Sequence, residues 1–142
     1  MSVPAKPERQ RYVLDSSALL AYLGGEAGGV QVQAVLADAD RGLAEAYLSV
    51  INYGETVYIV ERERGVTATR RAIAAVDQLP IIVLPADREL TFAAAHIKAR
   101  YPISYADAFA VALAQDTDAT ILTGDPEFRK IEHLIHVGWL PT

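Results

Sequence analysis

Tyr12-Val13-Leu14-Asp15-Ser16-Ser17-Ala18-Leu19-Leu20-Ala21-Tyr22-Leu23 passes from a β-type trio into a helical stretch with no loop between them. Tyr, Val and Leu suit a pleated, half-buried surface. Ser16 or Ser17 can cap the helix that follows, and Gly24-Gly25 can stop it. The same alternation recurs along the chain. Val32, Val35, Leu36 and Ala39 fall at i, i+3, i+4, i+7, a helical stripe. Ala46 to Val50 reads as a second strand. A helix then runs from about Val50 to Arg64, ended by Gly65, and a further one covers about Ala68 to Gln78. Ile81 to Leu84, closed by Pro85, reads as a buried strand. Asp87 caps a helix reaching Arg100, Pro102 breaks the chain, and Ser104 opens a helix to about Gln115. Ala119 to Thr123 is the next strand, Pro126 begins a short helical turn, and Leu134 to Val137 is the last strand.

Strands that alternate with helices imply crossover connections. The expected fold is therefore α/β: a three-layer α/β/α arrangement with a mostly parallel central sheet of four or five strands. A length of 142 residues suits one domain spanning 1–142, with residues 1–10 as a polar lead-in carrying Pro4 and Pro7. Apolar residues make up 51% of the chain, enough to fill a core, yet no apolar run is long enough to span a membrane. The amino-terminal residues lack the apolar stretch of a signal peptide, and a cytoplasmic location is expected. Cysteine is absent, which excludes disulfides and thiolate metal sites. The formal net charge of −5 argues against a general, basic nucleic-acid binder. It leaves room for local basic patches and for a carboxylate cluster around a metal.

In a parallel sheet, function gathers at the carboxyl ends of the strands. Four acids draw attention there. Asp15 follows the first strand and is either a helix N-cap or a site residue. Glu55 shares a stripe with Ile51 and Tyr58, either as a solvated edge residue or as an acid turned inward; Gly54 beside it leaves space for a close approach. Asp107 is the one charge in Tyr105 to Ala114, an otherwise apolar helix that should be buried. Ser104-x-x-Asp107 also reads as a capping box. Asp125 precedes Pro126, an N-cap followed by proline at the first helical position. Four carboxylates at one sheet edge would repel, at roughly 3 kcal/mol for a pair ~6 Å apart and an effective dielectric near 20. They must protonate or hold a cation, and all-oxygen donors select Mg²⁺ or Mn²⁺. His96, His133 and His136 have no evident role.

These segments carry a resemblance. From Tyr12 to about Gly138 the chain resembles the PIN-domain ribonucleases, and most of all the VapC toxins of bacterial toxin–antitoxin pairs. Leu14 to Leu23, Asn52-Tyr53-Gly54-Glu55, Ile103 to Ala108 and Ile121 to Phe128 match the four acid-bearing segments of that family in order and spacing. The resemblance implies Asp15, Glu55, Asp107 and Asp125 as catalytic and metal-holding acids, with Ser17, Thr123 and Ser104 as accessory groups. It implies an Mg²⁺- or Mn²⁺-dependent endoribonuclease, an RNA substrate, a small VapB-like antitoxin partner and a homodimer. Glu26 matches a commonly acidic position without a metal role, and Gly124 stands where relatives often carry a larger polar side chain. Arg9, Arg11, Lys98, Arg100, Arg129 and Lys130 are candidate RNA-phosphate contacts, each also readable as ordinary surface charge. Val57-Tyr58 and the Val32, Val35, Leu36 stripe are either partner contacts or core.

Other readings of the same sheet remain. A non-catalytic PIN-like binding module is one. A phosphatase-like hydrolase is another, though an Asp-x-Asp phosphatase needs an acid where Ser17 stands, and a phospho-receiver needs one where Leu84-Pro85 stand. No P-loop is present, and the glycines of Gly24 to Gly29 do not follow a strand.

Overall fold

The structure is a computed structural model that describes residues 9–142, so most of the expected lead-in lies outside the described residues. Five strands form one sheet: β1 (Gln10–Leu14), β2 (Ala44–Ser49), β3 (Ile81–Leu84), β4 (Thr120–Thr123) and β5 (His136–Trp139). Their order is β3-β2-β1-β4-β5 and each neighbouring pair is parallel. The helices are α1 (Ser16–Leu23), α2 (Gly29–Asp40), α3 (Val50–Asp77), α4 (Arg88–Arg100) and α5 (Tyr105–Thr117), with a 3-10 helix at Pro126–Ile131. This is the three-layer α/β/α arrangement read from the sequence.

Alternation along the strands builds a core on each face of the sheet. Leu14, Leu48 and Leu122 point to one side, where Ala18 and Leu19 of α1, Val32 and Leu36 of α2 and Val76 of α3 pack. Val13 and Ile121 point to the other, against α5 and the Leu90, Ala94, Ile97 stripe of α4. Val32 and Leu36 are thus core residues, not partner contacts. Asp107 to Ala114 are all buried, as an apolar helix requires.

Several elements differ from the sequence reading. β1 begins at Gln10 rather than Tyr12, and the last strand sits two residues later than expected. The two helices expected on either side of Gly65 are both present as the two arms of α3, separated where Gly65 leaves helical geometry with φ 87° and ψ 176°. The buried side of its first arm is Asn52, Thr56 and Val60, not Ile51, Glu55 and Tyr58. Glu55 therefore stands at the margin of the buried stripe, and Tyr58 is exposed with the Arg62 guanidinium over its ring. β3 was expected to be buried on both faces. It is an edge strand paired only with β2, which leaves Ile82 46% and Val83 39% exposed.

Two glycines differ sharply in what surrounds them. A Cβ on Gly29 would lie 2.6 Å from the Ala21 carbonyl oxygen, because α2 starts directly against the end of α1. A Cβ on Gly54 would meet no atom within 4 Å. Gly29→Ala is therefore expected to destabilise the protein by about 1–3 kcal/mol. Gly54→Ala should stabilise it by about 1 kcal/mol. Urea denaturation of both variants measures the difference, and equal midpoints would contradict it.

Candidate functional site

The parallel sheet delivers the four acids to one edge. Asp15 follows β1 and Asp125 follows β4, and these two strands are neighbours. Glu55 lies in the second turn of α3, which starts at the end of β2. Asp107 lies in the first turn of α5, whose far end returns the chain to the start of β4.

Asp15 is 1% exposed and firmly held. It caps α1 by accepting from the Ala18 amide at 2.8 Å. The Ser17 hydroxyl donates to it at 2.7 Å, and the Thr123 hydroxyl donates to its other oxygen. Ser17 also accepts from the Gly124 amide at 3.1 Å, and Thr123 from the Asp125 amide at 3.0 Å. The Ser16 hydroxyl donates to Glu55. Asp125 caps the 3-10 helix through the Glu127 amide at 2.9 Å. Ser17 and Thr123 thus join Asp15 to the Gly124–Asp125 backbone, and Ser16 joins Glu55 to the start of α1. Ser104 caps α5 by accepting from the Asp107 amide at 3.0 Å. The cap readings of Asp15 and Asp125 hold together with their convergence, because a capping carboxylate keeps spare acceptor sites.

The field at this edge is strongly negative. Burial raises the Asp15 carboxyl from 3.8 to about 6; its hydrogen bonds from Thr123, Ser17 and Ala18 pull the other way, and the charge of Asp125 adds to the rise. Burial raises Asp107 to about 7; Ser104 opposes this, and the charges of Asp125, Asp15 and Glu55 reinforce it. Among the described residues, no Lys or Arg makes an ion pair with any of the four.

Such a donor set fits a hard divalent cation: it is all oxygen, it is net negative, and Glu55 Oε2 and Asp125 Oδ2 accept from no protein donor among the described residues. As placed, no group of three Asp, Glu or His side chains among the described residues closes on one point. The acids share a field, while their individual oxygens are drawn aside to Ser16, Ser17, Thr123 and the helix amides.

The remaining candidates divide. Lys98 and Arg100 are in the last turn of α4, a few residues before Ser104, and Arg129 and Lys130 follow Asp125 in the 3-10 helix. Lys130 donates to the Pro102 carbonyl at 3.3 Å, which brings these two segments side by side at the rim. Arg9 and Arg11 are elsewhere. They stand at the start of β1 beside Glu45, at 3.7 and 3.8 Å, and Arg11 is about 13 Å along the strand from Asp15. Phosphate contact near the acids is a poor fit for either. His96, His133 and His136 are exposed, and Glu26 lies in the turn after α1, apart from the acids. Sequence reasoning singled out Ser17 but passed over Ser16, whose only signal was its place in the Ser-Ser pair after Asp15.

Comparison with known proteins agrees with this geometry. A family model described as PIN domain matches residues 12–134. No curated protein matches the chain. Among solved structures, VapBC2 from Rickettsia felis, bound to a DNA fragment from its promoter, contains a chain similar at TM-score 0.73 and 14% identity, covering 93% of this chain and 100% of that one. VapC20 of Mycobacterium tuberculosis, described as a sarcin–ricin-loop-cleaving toxin, is similar at TM-score 0.67 and 22% identity, covering 83% and 92%. VapBC-1 of nontypeable Haemophilus influenzae is similar at TM-score 0.65 and 19% identity, covering 92% and 98%. At these identities the likeness establishes a shared fold.

The raised carboxyls have a consequence for stability. Unfolded, Asp15 and Asp107 ionise near 3.8; folded, they do so at about 6 and about 7. Between these values the folded state binds more protons than the unfolded state, so their contribution to stability falls as pH rises from about 4 to about 7. In chelator-treated protein, Asp107→Asn should therefore raise the thermal midpoint at neutral pH by roughly 3 °C or more and flatten its pH dependence. A midpoint that drops at neutral pH would refute the account of a carboxylate made costly by burial and by its charged neighbours.

Proposed function

The chain belongs to the PIN-domain family, and from that premise we propose that it is a divalent-metal-dependent endoribonuclease, the toxin of a VapBC-like toxin–antitoxin pair. The observation that carries this reading is the gathering of Asp15, Glu55, Asp107 and Asp125 at one sheet edge, with no cationic side chain paired to them among the described residues. The likeness to VapC20, described as a sarcin–ricin-loop-cleaving toxin, supports RNA as the substrate. The VapBC complexes with the same fold support a VapB-like antitoxin as partner and the cytoplasm as the place of action.

In this reading the four acids hold Mg²⁺ or Mn²⁺. The ion supplies a water of lowered pKa and offsets charge that builds on the phosphate. The chain's own residues do the rest. Ser17 and Thr123 hold Asp15 by donating to it, and Ser16 holds Glu55. Ser104 fixes the first turn of α5 and with it the backbone of Asp107. Lys98 and Arg100, shortly before the Asp107 helix, and Arg129 and Lys130, shortly after Asp125, are the cations this reading assigns to RNA phosphates, with Lys130 also paired to Glu127 and the Arg129 guanidinium over the Trp139 ring. That arrangement accounts for how an acidic protein binds a polyanion.

A groove of about 490 Å³ between α1 and α3, lined by Leu20, Leu23, Ile59 and Val60 with Arg64 and Arg71 alongside, suits an amphipathic segment of an antitoxin. Exposed Ile82 and Val83 on the edge strand and Phe92 on α4 are apolar surface that a second copy would cover in a homodimer.

Purified protein is expected to cleave structured RNA with Mn²⁺ and to stop on addition of chelator. Asp15→Asn and Asp107→Asn should each reduce the rate by at least ~10²-fold while the far-ultraviolet circular dichroism stays unchanged. Metal-independent cleavage, or cleavage by both variants at the wild-type rate, would overturn the assignment. Tight binding of a partner with no cleavage of any RNA would favour the non-catalytic module.

A further inference from the structure

Asn52 is 0% exposed, among the largest fully buried side chains, and polar. It lies one helical turn before Glu55 on α3, on the buried stripe with Thr56 and Val60. Its Nδ2 donates at 3.0 Å to the carbonyl of Ala106, the residue before Asp107 on α5. Its Oδ1 accepts from no protein donor among the described residues. The orientation is the one that chemistry demands: turning the amide over would set its oxygen against the Ala106 carbonyl.

The position of this bond within the site gives it meaning. Ser17 and Thr123 join Asp15 to the Asp125 backbone, and Ser16 joins Glu55 to α1, which begins beside Asp15. Asp107 is outside that web; Ser104 caps it within its own helix. Among the described residues, the Asn52–Ala106 bond is the one hydrogen bond that joins α3 to α5. It links the helix of one acid to the backbone beside another.

A buried acceptor without a donor costs about 1–3 kcal/mol, and a leucine of similar volume would avoid that cost. Packing alone therefore does not favour asparagine here. We infer that Asn52 is a positioning residue that holds Asp107 in register with Glu55 so that both can ligate one divalent cation. The inference rests on the proposed metal site and adds a residue to it that the four acids do not include.

The test is Mn²⁺ titration of the folded, chelator-stripped protein by calorimetry, which reads affinity without relying on activity. Asn52→Leu should weaken Mn²⁺ affinity about tenfold, the loss typical of a removed outer partner, while the thermal midpoint without metal stays level or rises. Thr56→Val, a change on the same buried stripe, should leave Mn²⁺ affinity unaltered. In an Asp107→Asn background, Asn52→Leu should produce no further loss, because the two act through one group. RNA cleavage should lose kcat with KM unchanged. Should the leucine variant fail to fold, Asn52→Ser adds no bulk and is read in the same way. Wild-type binding of Mn²⁺ with unchanged affinity in the folded Asn52 variant would overturn this inference alone. So would an equal loss in the Asp107→Asn background. Absence of saturable Mn²⁺ binding by the wild type would overturn the metal-site reading and this inference with it.

Discussion

Burial of carboxylates close to one another is the constraint around which this site is arranged. Burial and neighbouring negative charge push Asp15 and Asp107 well above the usual carboxyl range. A fold can carry such a cluster only if something offsets the charge. Part of the offset is structural. Asp15 and Asp125 are N-caps and Asp107 sits in a first helical turn, so three of the acids meet the positive ends of helices. Hydroxyl donors from Ser16, Ser17 and Thr123 add to it. The remainder can be met by protonation or by a cation.

Topology explains why residues so distant in sequence meet. β1 lies at the middle of the sheet, with β2 on one side and β4 on the other. The chain leaves β1 in one direction and later returns on the opposite flank. Such a reversal opens a crevice at the carboxyl edge, where open parallel sheets bind their ligands. Asp15 and Asp125 border this crevice directly from adjacent strands. Glu55 reaches it from the helix after β2, and Asp107 from the helix before β4. Each helix presents its amino end to the same edge, which is why capping and convergence are two aspects of one geometry.

The polar core of α3 fits the same picture. Asn52 occupies a position where an apolar residue would pack with less cost, and it reaches the helix of Asp107, while the Thr56 hydroxyl is satisfied by the Asn52 carbonyl. A buried polar link of this sort trades packing for registration between two elements.

The order of elements was legible in the sequence because it depends on local signals. Hydrophobic periodicity, the caps at Ser104 and Asp87 and the stops at Gly24 and Pro102 act over a few residues and are written in neighbouring side chains. Asp107 could be nominated for the same reason, as the one charge in an apolar helix, whereas Asp15, Glu55 and Asp125 were ambiguous alone and stood out only together, in the order and spacing of the resembled family. Tertiary structure alone decided the rest. Edge or centre for β3, inward or marginal for Glu55, and near or far for Arg9 and Arg11 depend on which strands lie beside which. So do the partners of Ser16 and Asn52, which are 39 and 54 residues away along the chain. A sequence pattern says which way a side chain points from its own backbone; only the packed layers say what it meets there.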